Sequence, residues 1–182
     1  MKRVAIFIAP GFEEIEAVTV IDVLRRANIE VLPVSLDDQL VVSGAHGIQI
    51  ITEGRIDQLP LSKLDGVVLP GGMPGSRNLQ QNGTVLEIIR KLSDQEKLVA
   101  AICAAPIVLQ TAGVLTGKKA TVFAGMESQV ESAQLVKQDV VVDQNIITGN
   151  GPAAAINFSF ALIEYLLDSE SAEQIRKGML VS

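Results

Sequence analysis

The chain holds one cysteine and one histidine, so any nucleophile, dyad or metal cluster has to be assembled from very few parts. Cys103 lies in Leu98-Val99-Ala100-Ala101-Ile102-Cys103-Ala104-Ala105-Pro106, where an apolar run gives way to a proline. Proline is tolerated in the first turn of a helix, so Pro106 reads as a helix start and Cys103 as the turn before it. A sulfur facing the first helical N–H groups is expected to have a lowered pKa and a larger thiolate fraction. The competing reading is a small buried hydrophobe.

Three carboxylates come next. At 3.6 residues per turn, Glu16 falls in line with Val20, Val23 and Ala27, on an apolar stripe. Glu13 aligns with Ala17, Val20 and Leu24, and Glu14 with Val18, Ile21 and Arg25. Glu16, and to a lesser degree Glu13, is therefore expected to be buried; an acid in apolar surroundings favours its neutral form and suits proton transfer. Alternatively these acids simply complement the helix dipole, the reading preferred for Glu13 and Glu14. Gly71 and Gly72 end an apolar run and permit close backbone approach. The N–H groups of Gly72 and Ala104 are candidates for holding an oxyanion formed when sulfur adds to a carbonyl. A plain tight turn explains the two glycines equally well. His46 sits in Ser43-Gly44-Ala45-His46-Gly47, as an exposed turn residue or at a pocket rim. The residues form no zinc cluster, P-loop, dinucleotide fingerprint or serine elbow, and a carboxylate-only Mg²⁺ site, though left open, has no motif to mark it, so no metal is expected.

The elements that would position these groups follow from alternating apolar runs and breakers. Strands are expected at Val4 to Ala9, Ile29 to Leu36, Asp65 to Leu69, Leu98 to Ile102, Ala120 to Phe123, Val140 to Val142 and Ile146 to Thr148. Helices are expected at Glu13 to Ala27, from a Thr84-Val85-Leu86-Glu87 capping box to Leu92, from Pro106, from Ala153 to Leu167, and from a capping box at Ser171 to Gln174. Leu40 to Val42 and Ile48 to Ile51 flank the His46 turn as an antiparallel excursion. Such β-α alternation implies a doubly wound, mostly parallel sheet with helices on both faces, its site at the carboxyl ends of the strands. Four breaker turns would gather there: Pro10-Gly11, Gly71-Gly72, the Cys103 turn and Asn150-Gly151-Pro152.

Composition narrows the function classes. With 182 residues, 48% hydrophobic, the chain suits one domain spanning 1–182. Aromatic residues make up 3%, Trp is absent and the net charge is -6, which speaks against nucleic acid and anionic membranes as partners. The longest apolar window, Leu98 to Leu109, falls short of the roughly 20 residues of a membrane helix. One cysteine forms no internal disulfide, and a cytoplasmic location is expected.

Ala9-Pro10-Gly11-Phe12-Glu13-Glu14-Ile15-Glu16-Ala17-Val18, Val68-Leu69-Pro70-Gly71-Gly72, Ala100-Ala101-Ile102-Cys103-Ala104-Ala105-Pro106 and Gly149-Asn150-Gly151-Pro152 together resemble the DJ-1/ThiJ/PfpI family, in its DJ-1-like branch. The resemblance spans residues 3 to about 180. It implies a flavodoxin-like fold, a homodimer, a reactive Cys103 on a strained elbow and a protonated Glu16 hydrogen-bonded to its sulfur, with Glu13, Gly71, His46, Asn150 and Pro152 as possible pocket residues. It also implies a cofactor-independent glyoxalase or deglycase acting on small dicarbonyls or glycated protein, or an oxidative-stress sensor or chaperone using the same cysteine. The protease branch carries histidine after the cysteine, where this chain has Ala104. Some DJ-1-like members carry histidine at the position of Phe123, and arginine at those of His46 and Asn150.

Overall fold

The computed structural model describes residues 1–181. The first strand, β1 (Arg3–Ile8), is apolar on both sides because both sides are covered. Val4, Ile6 and Ile8 enter one core, Ala5 and Phe7 the other. This alternation, with no polar face, marks a strand inside a two-sided sandwich. Side chains such as Phe7 and Ile6 are fully enclosed, each contributing about 2 kcal/mol through removal from water.

After β1 come α1 (Glu14–Arg26), β2 (Glu30–Ser35), the hairpin β3 (Val41–Ser43) and β4 (Gln49–Ile51), and the short β5 (Gly54–Arg55). Next are β6 (Gly66–Leu69), α2 (Gly75–Gln81), α3 (Gly83–Asp94), β7 (Leu98–Ile102) and α4 (Pro106–Ala112). The chain continues through β8 (Lys119–Ala120), β9 (Gln134–Leu135), β10 (Val140–Asp143), β11 (Ile146–Gly149), α5 (Ala155–Leu166) and α6 (Ser169–Gly178). Seven strands form the central sheet in the order β10-β11-β7-β6-β1-β2-β5. All neighbours are parallel except β10 and β11. Helices α1, α5 and α6 pack on one face, and α2, α3 and α4 on the other. The expected doubly wound, flavodoxin-like architecture is thus observed. No helix among the described residues is long and apolar enough to cross a membrane.

Register decides what the strand ends bring together. Leu69 lies beside Ala101 and Gly149 beside Ile102. The residues after these strands, Gly71, Cys103 and Asn150, consequently emerge at one edge of the sheet.

Several local expectations are corrected. Asn82, not Thr84, caps α3: its side-chain oxygen accepts the Val85 N–H at 3.1 Å. Asp168 caps α6 by accepting the Ser171 N–H at 2.7 Å, so that helix opens before the expected box. Residues 152–154 form a 3-10 turn ahead of α5. The strand expected at Ala120 to Phe123 stops at Ala120. Beyond it the Thr121 N–H goes to the Thr148 hydroxyl and the Phe123 N–H to the Cys103 carbonyl, which draws the chain toward the cysteine and away from a ladder.

Candidate active site

The cysteine turn is bent into an uncommon backbone conformation. Cys103 has φ 63°, in the left-handed region that non-glycine residues seldom occupy. Its N–H donates to the Gly149 carbonyl, its carbonyl accepts from Phe123, and Pro106 opens α4 three residues later. These bonds hold the elbow, and only 8% of Cys103 is exposed.

Glu16 reaches this sulfur from α1. The residue is fully buried, and its Oε2 accepts the Gly71 N–H at 2.7 Å. Oε1 is buried without a nitrogen or oxygen partner. The Cys103 thiol lies beside the carboxyl and couples to its titration, although it is not aligned for a strict hydrogen bond. Burial is the main force on Glu16 and pushes its carboxyl up to about 7; the Gly71 N–H and the thiol oppose this and the Glu13 charge adds to it. Gly71 makes the approach possible. A Cβ there would stand 2.6 Å from the Cys103 Cβ and 2.7 Å from Glu16 Oε2. Gly72 has φ 87°, the left-handed backbone that glycine adopts most readily, and the N–H groups of Gly72 and Ala104 both bear on the sulfur, favouring its thiolate.

The expected low thiol pKa is not observed. Burial, followed by the Glu16 charge and hydrogen bond, pushes Cys103 up to about 12, outweighing the Ala104 and Gly72 N–H groups. A helix N-terminus three residues away cannot offset a carboxylate beside the sulfur. When Glu16 takes a proton, its charge no longer opposes the thiolate and the carboxyl becomes a donor.

Of the other two acids, Glu14 departs from its expected place. Glu13 is half-buried, and its N–H donates to the Gly71 carbonyl at 2.9 Å. Glu14, expected to point outward, has a side chain only 5% exposed. Its cover comes from the β3–β4 turn rather than from the sheet, which is why helical periodicity missed it. Oε1 accepts the His46 N–H at 2.6 Å, and Oε2 meets His46 Nδ1 at 2.8 Å. Burial opposes ionisation of Glu14, but the His46 ring, the His46 N–H and the Ile48 N–H hold it at about 2. The His46 ring is 69% exposed and stands 3.8 Å from Glu13. It is therefore both a turn residue and a link to the acids of α1. Glu13, Glu14 and His46 offer three ligand atoms within 4.8 Å of one another, a grouping that the sequence did not suggest.

Asn150 and Pro152 reach the same sheet edge by another route. They line a groove of about 710 Å³ together with Phe123. The Asn150 side chain donates to Asp139 at 2.9 Å rather than joining Cys103 and Glu16.

The sequence pattern of the DJ-1/PfpI family matches residues 2–165. The chain belongs to this family. It is 37% identical to protein dj-1beta of Drosophila melanogaster over 183 residues, covering 100% of this chain and 98% of that protein. It is 32% identical over 152 residues to a deglycase of Pyrococcus abyssi, covering 82% of this chain and 90% of that one. The solved structure of oxidised Toxoplasma gondii DJ-1 superposes with a TM-score of 0.93 at 35% identity, covering 99% and 98% of the two chains.

Proposed function

We propose that this protein is a cysteine-dependent glyoxalase or deglycase acting on methylglyoxal-type dicarbonyls or their early adducts. The buried Glu16 beside Cys103, with its carboxyl raised to about 7, is the observation that carries this reading. A group that titrates near neutrality can both take and give a proton at working pH. Ionised Glu16 accepts the thiol proton as sulfur adds to the aldehyde carbon, and the Gly72 and Ala104 N–H groups hold the resulting oxyanion. Glu16 returns that proton to the oxygen, giving a hemithioacetal. It then removes the hydrogen from the former aldehyde carbon and delivers a proton to the neighbouring carbonyl carbon, while the hemithioacetal hydroxyl proton passes to the former ketone oxygen. The product is a 2-hydroxy thioester, and water releases hydroxy acid and free Cys103. One dicarbonyl and one water become one hydroxy acid, and the oxidation at one carbon balances the reduction at the next. Besides the substrate and water, the scheme draws on groups of this chain. We further place the protein in the cytoplasm as a homodimer.

The experiment is lactate production from methylglyoxal by wild type, Cys103→Ala and Glu16→Gln. Both substitutions should lower turnover by about a hundredfold or more. Unchanged product from either would remove the enzymatic reading. A second reading, an oxidation sensor or redox-regulated chaperone, is supported by the donors that converge on the sulfur, which would also stabilise a sulfinate. It expects peroxide to add two oxygens to Cys103 with the fold retained, measured by intact mass and circular dichroism.

A further inference from the structure

Glu13, Glu14 and His46 form a cluster whose side chains the reaction proposed at Cys103 does not use. Their ligand atoms lie within 4.8 Å of one another. His46 Nδ1 stands 2.8 Å from Glu14 Oε2 and 3.8 Å from Glu13 Oε2. A tetrahedral zinc ion with nitrogen and oxygen ligands at about 2.0–2.1 Å sets those ligand atoms about 3.3 Å apart. The two observed spacings bracket that value, so shifts of about half an ångström in an exposed ring and a flexible carboxylate close the site around an ion.

The donors are already oriented. Glu14 Oε1 accepts the His46 N–H at 2.6 Å and the Ile48 N–H at 3.4 Å. These bonds fix the carboxylate and leave Oε2 directed at the ring, the outer-shell support that ligating carboxylates receive in metal sites. Glu13 supplies a separate reason for a cation. Its side chain is only 13% exposed, accepts no hydrogen bond among the described residues, and has the ring at 3.8 Å as its nearest charged partner. Neither carboxylate has a lysine or arginine within 4.0 Å among the described residues. Two largely buried carboxylates therefore share one imidazole, which carries a single charge at most and none when neutral.

The donor types select the ion. An imidazole with two carboxylates suits zinc and its transition-metal neighbours, whereas magnesium prefers an all-oxygen shell. The ring is 69% exposed, which leaves a path for the ion and room for water as a fourth ligand. Glu14 and His46 are 32 residues apart, so no ligand spacing shows in the sequence. We propose that Glu13 Oε2, Glu14 Oε2 and His46 Nδ1 bind a zinc ion, which clasps the β3–β4 turn to the start of α1. The clasp requires no chemistry at Cys103.

The test is isothermal titration of the intact wild-type chain with zinc chloride, with magnesium chloride as the comparison. One zinc per chain is expected, at a Kd of about 10 µM or tighter, with no matching heat from magnesium. His46→Gln and Glu13→Gln should each weaken zinc binding about tenfold or more, and Cys103→Ala should bind zinc as the wild type does. X-ray absorption at the zinc edge of the wild-type complex should show nitrogen and oxygen neighbours at about 2.0–2.1 Å and no sulfur at about 2.3 Å. That measurement needs no variant, so a misfolded substitution cannot decide the outcome. Absence of binding at about 100 µM zinc overturns the proposal, as does equal binding of magnesium. A sulfur neighbour overturns it too, as does a Glu13→Gln chain that binds zinc as tightly as the wild type. Lactate production from methylglyoxal, measured without zinc, reports on the proposed activity and not on the clasp.

Discussion

Glu16 ionises near 4.5 in an unfolded chain and near 7 in the folded one. Below 4.5 it is protonated in both states, so its contribution to stability is fully present there. As pH rises toward 7 the unfolded chain sheds the proton first and stability falls, by about 3 kcal/mol in total. Glu14 works in the other direction. Its folded value of about 2 lies below 4.5, so the stability it adds is present above 4.5 and is lost as pH falls toward 2. His46, raised by its hydrogen bond to Glu14, also loses stability as pH climbs through its own titration. Urea midpoints of the wild type should therefore be highest near pH 4.5 and decline on both sides, whereas Glu16→Gln should lose most of the decline toward neutrality. A variant whose pH profile parallels the wild type would show that Glu16 is not raised by burial. Much of this site was legible beforehand. The proline after Cys103, the apolar stripe under Glu16 and the glycine pair on a neighbouring strand each pointed to their positions. The thiol's titration was not, because it depends on a carboxylate 87 residues away in sequence and on burial from several elements at once.

At the scale of elements, the core strands could be read because both of their faces are apolar, which only a two-sided sandwich explains. Helix starts were harder. The capping box at Thr84 to Glu87 was the expected start of α3, and the asparagine two residues earlier carried no comparable pattern. The fold selects Asn82, whose oxygen meets the Val85 N–H while Val85, Ile88, Ile89 and Leu92 face the core. Asn82→Ala should cost about 1 kcal/mol in chemical denaturation. Thr84→Ala, at an exposed site, should leave the midpoint in place. Equal losses from both would restore the Thr84 cap. The docking of the β3–β4 hairpin on Glu14 had no sequence signal, since a helical wheel registers the face toward the sheet and nothing that folds over from outside.

At the scale of the whole molecule, one group of the apolar residues left in solvent falls on two joined elements. Ile15 and Val18 on α1, and Val41, Ile48 and Ile51 on the hairpin, are all exposed. The Glu14–His46 contacts hold these two elements together. Their exposed apolar residues are the proposed dimer contact. Light scattering should give twice the 19.4 kDa chain mass for the wild type. The double variant Val18→Asp and Ile48→Asp should give a single chain. A wild type that already measures as one chain would refute the dimer.

Glu13, Glu14 and Glu16 have three different duties within four residues: one anchors Gly71 through its backbone, one grips a hairpin, and one meets the thiol. Each residue turns the helix by about 100°, so inserting or deleting a single position would hand every carboxylate the wrong neighbour. Substitutions in this stretch change one task at a time, whereas a change of length would scramble all three. The opening turn of α1 therefore works as a phase mark, which fixes how far the chain must run from β1 before the helix begins.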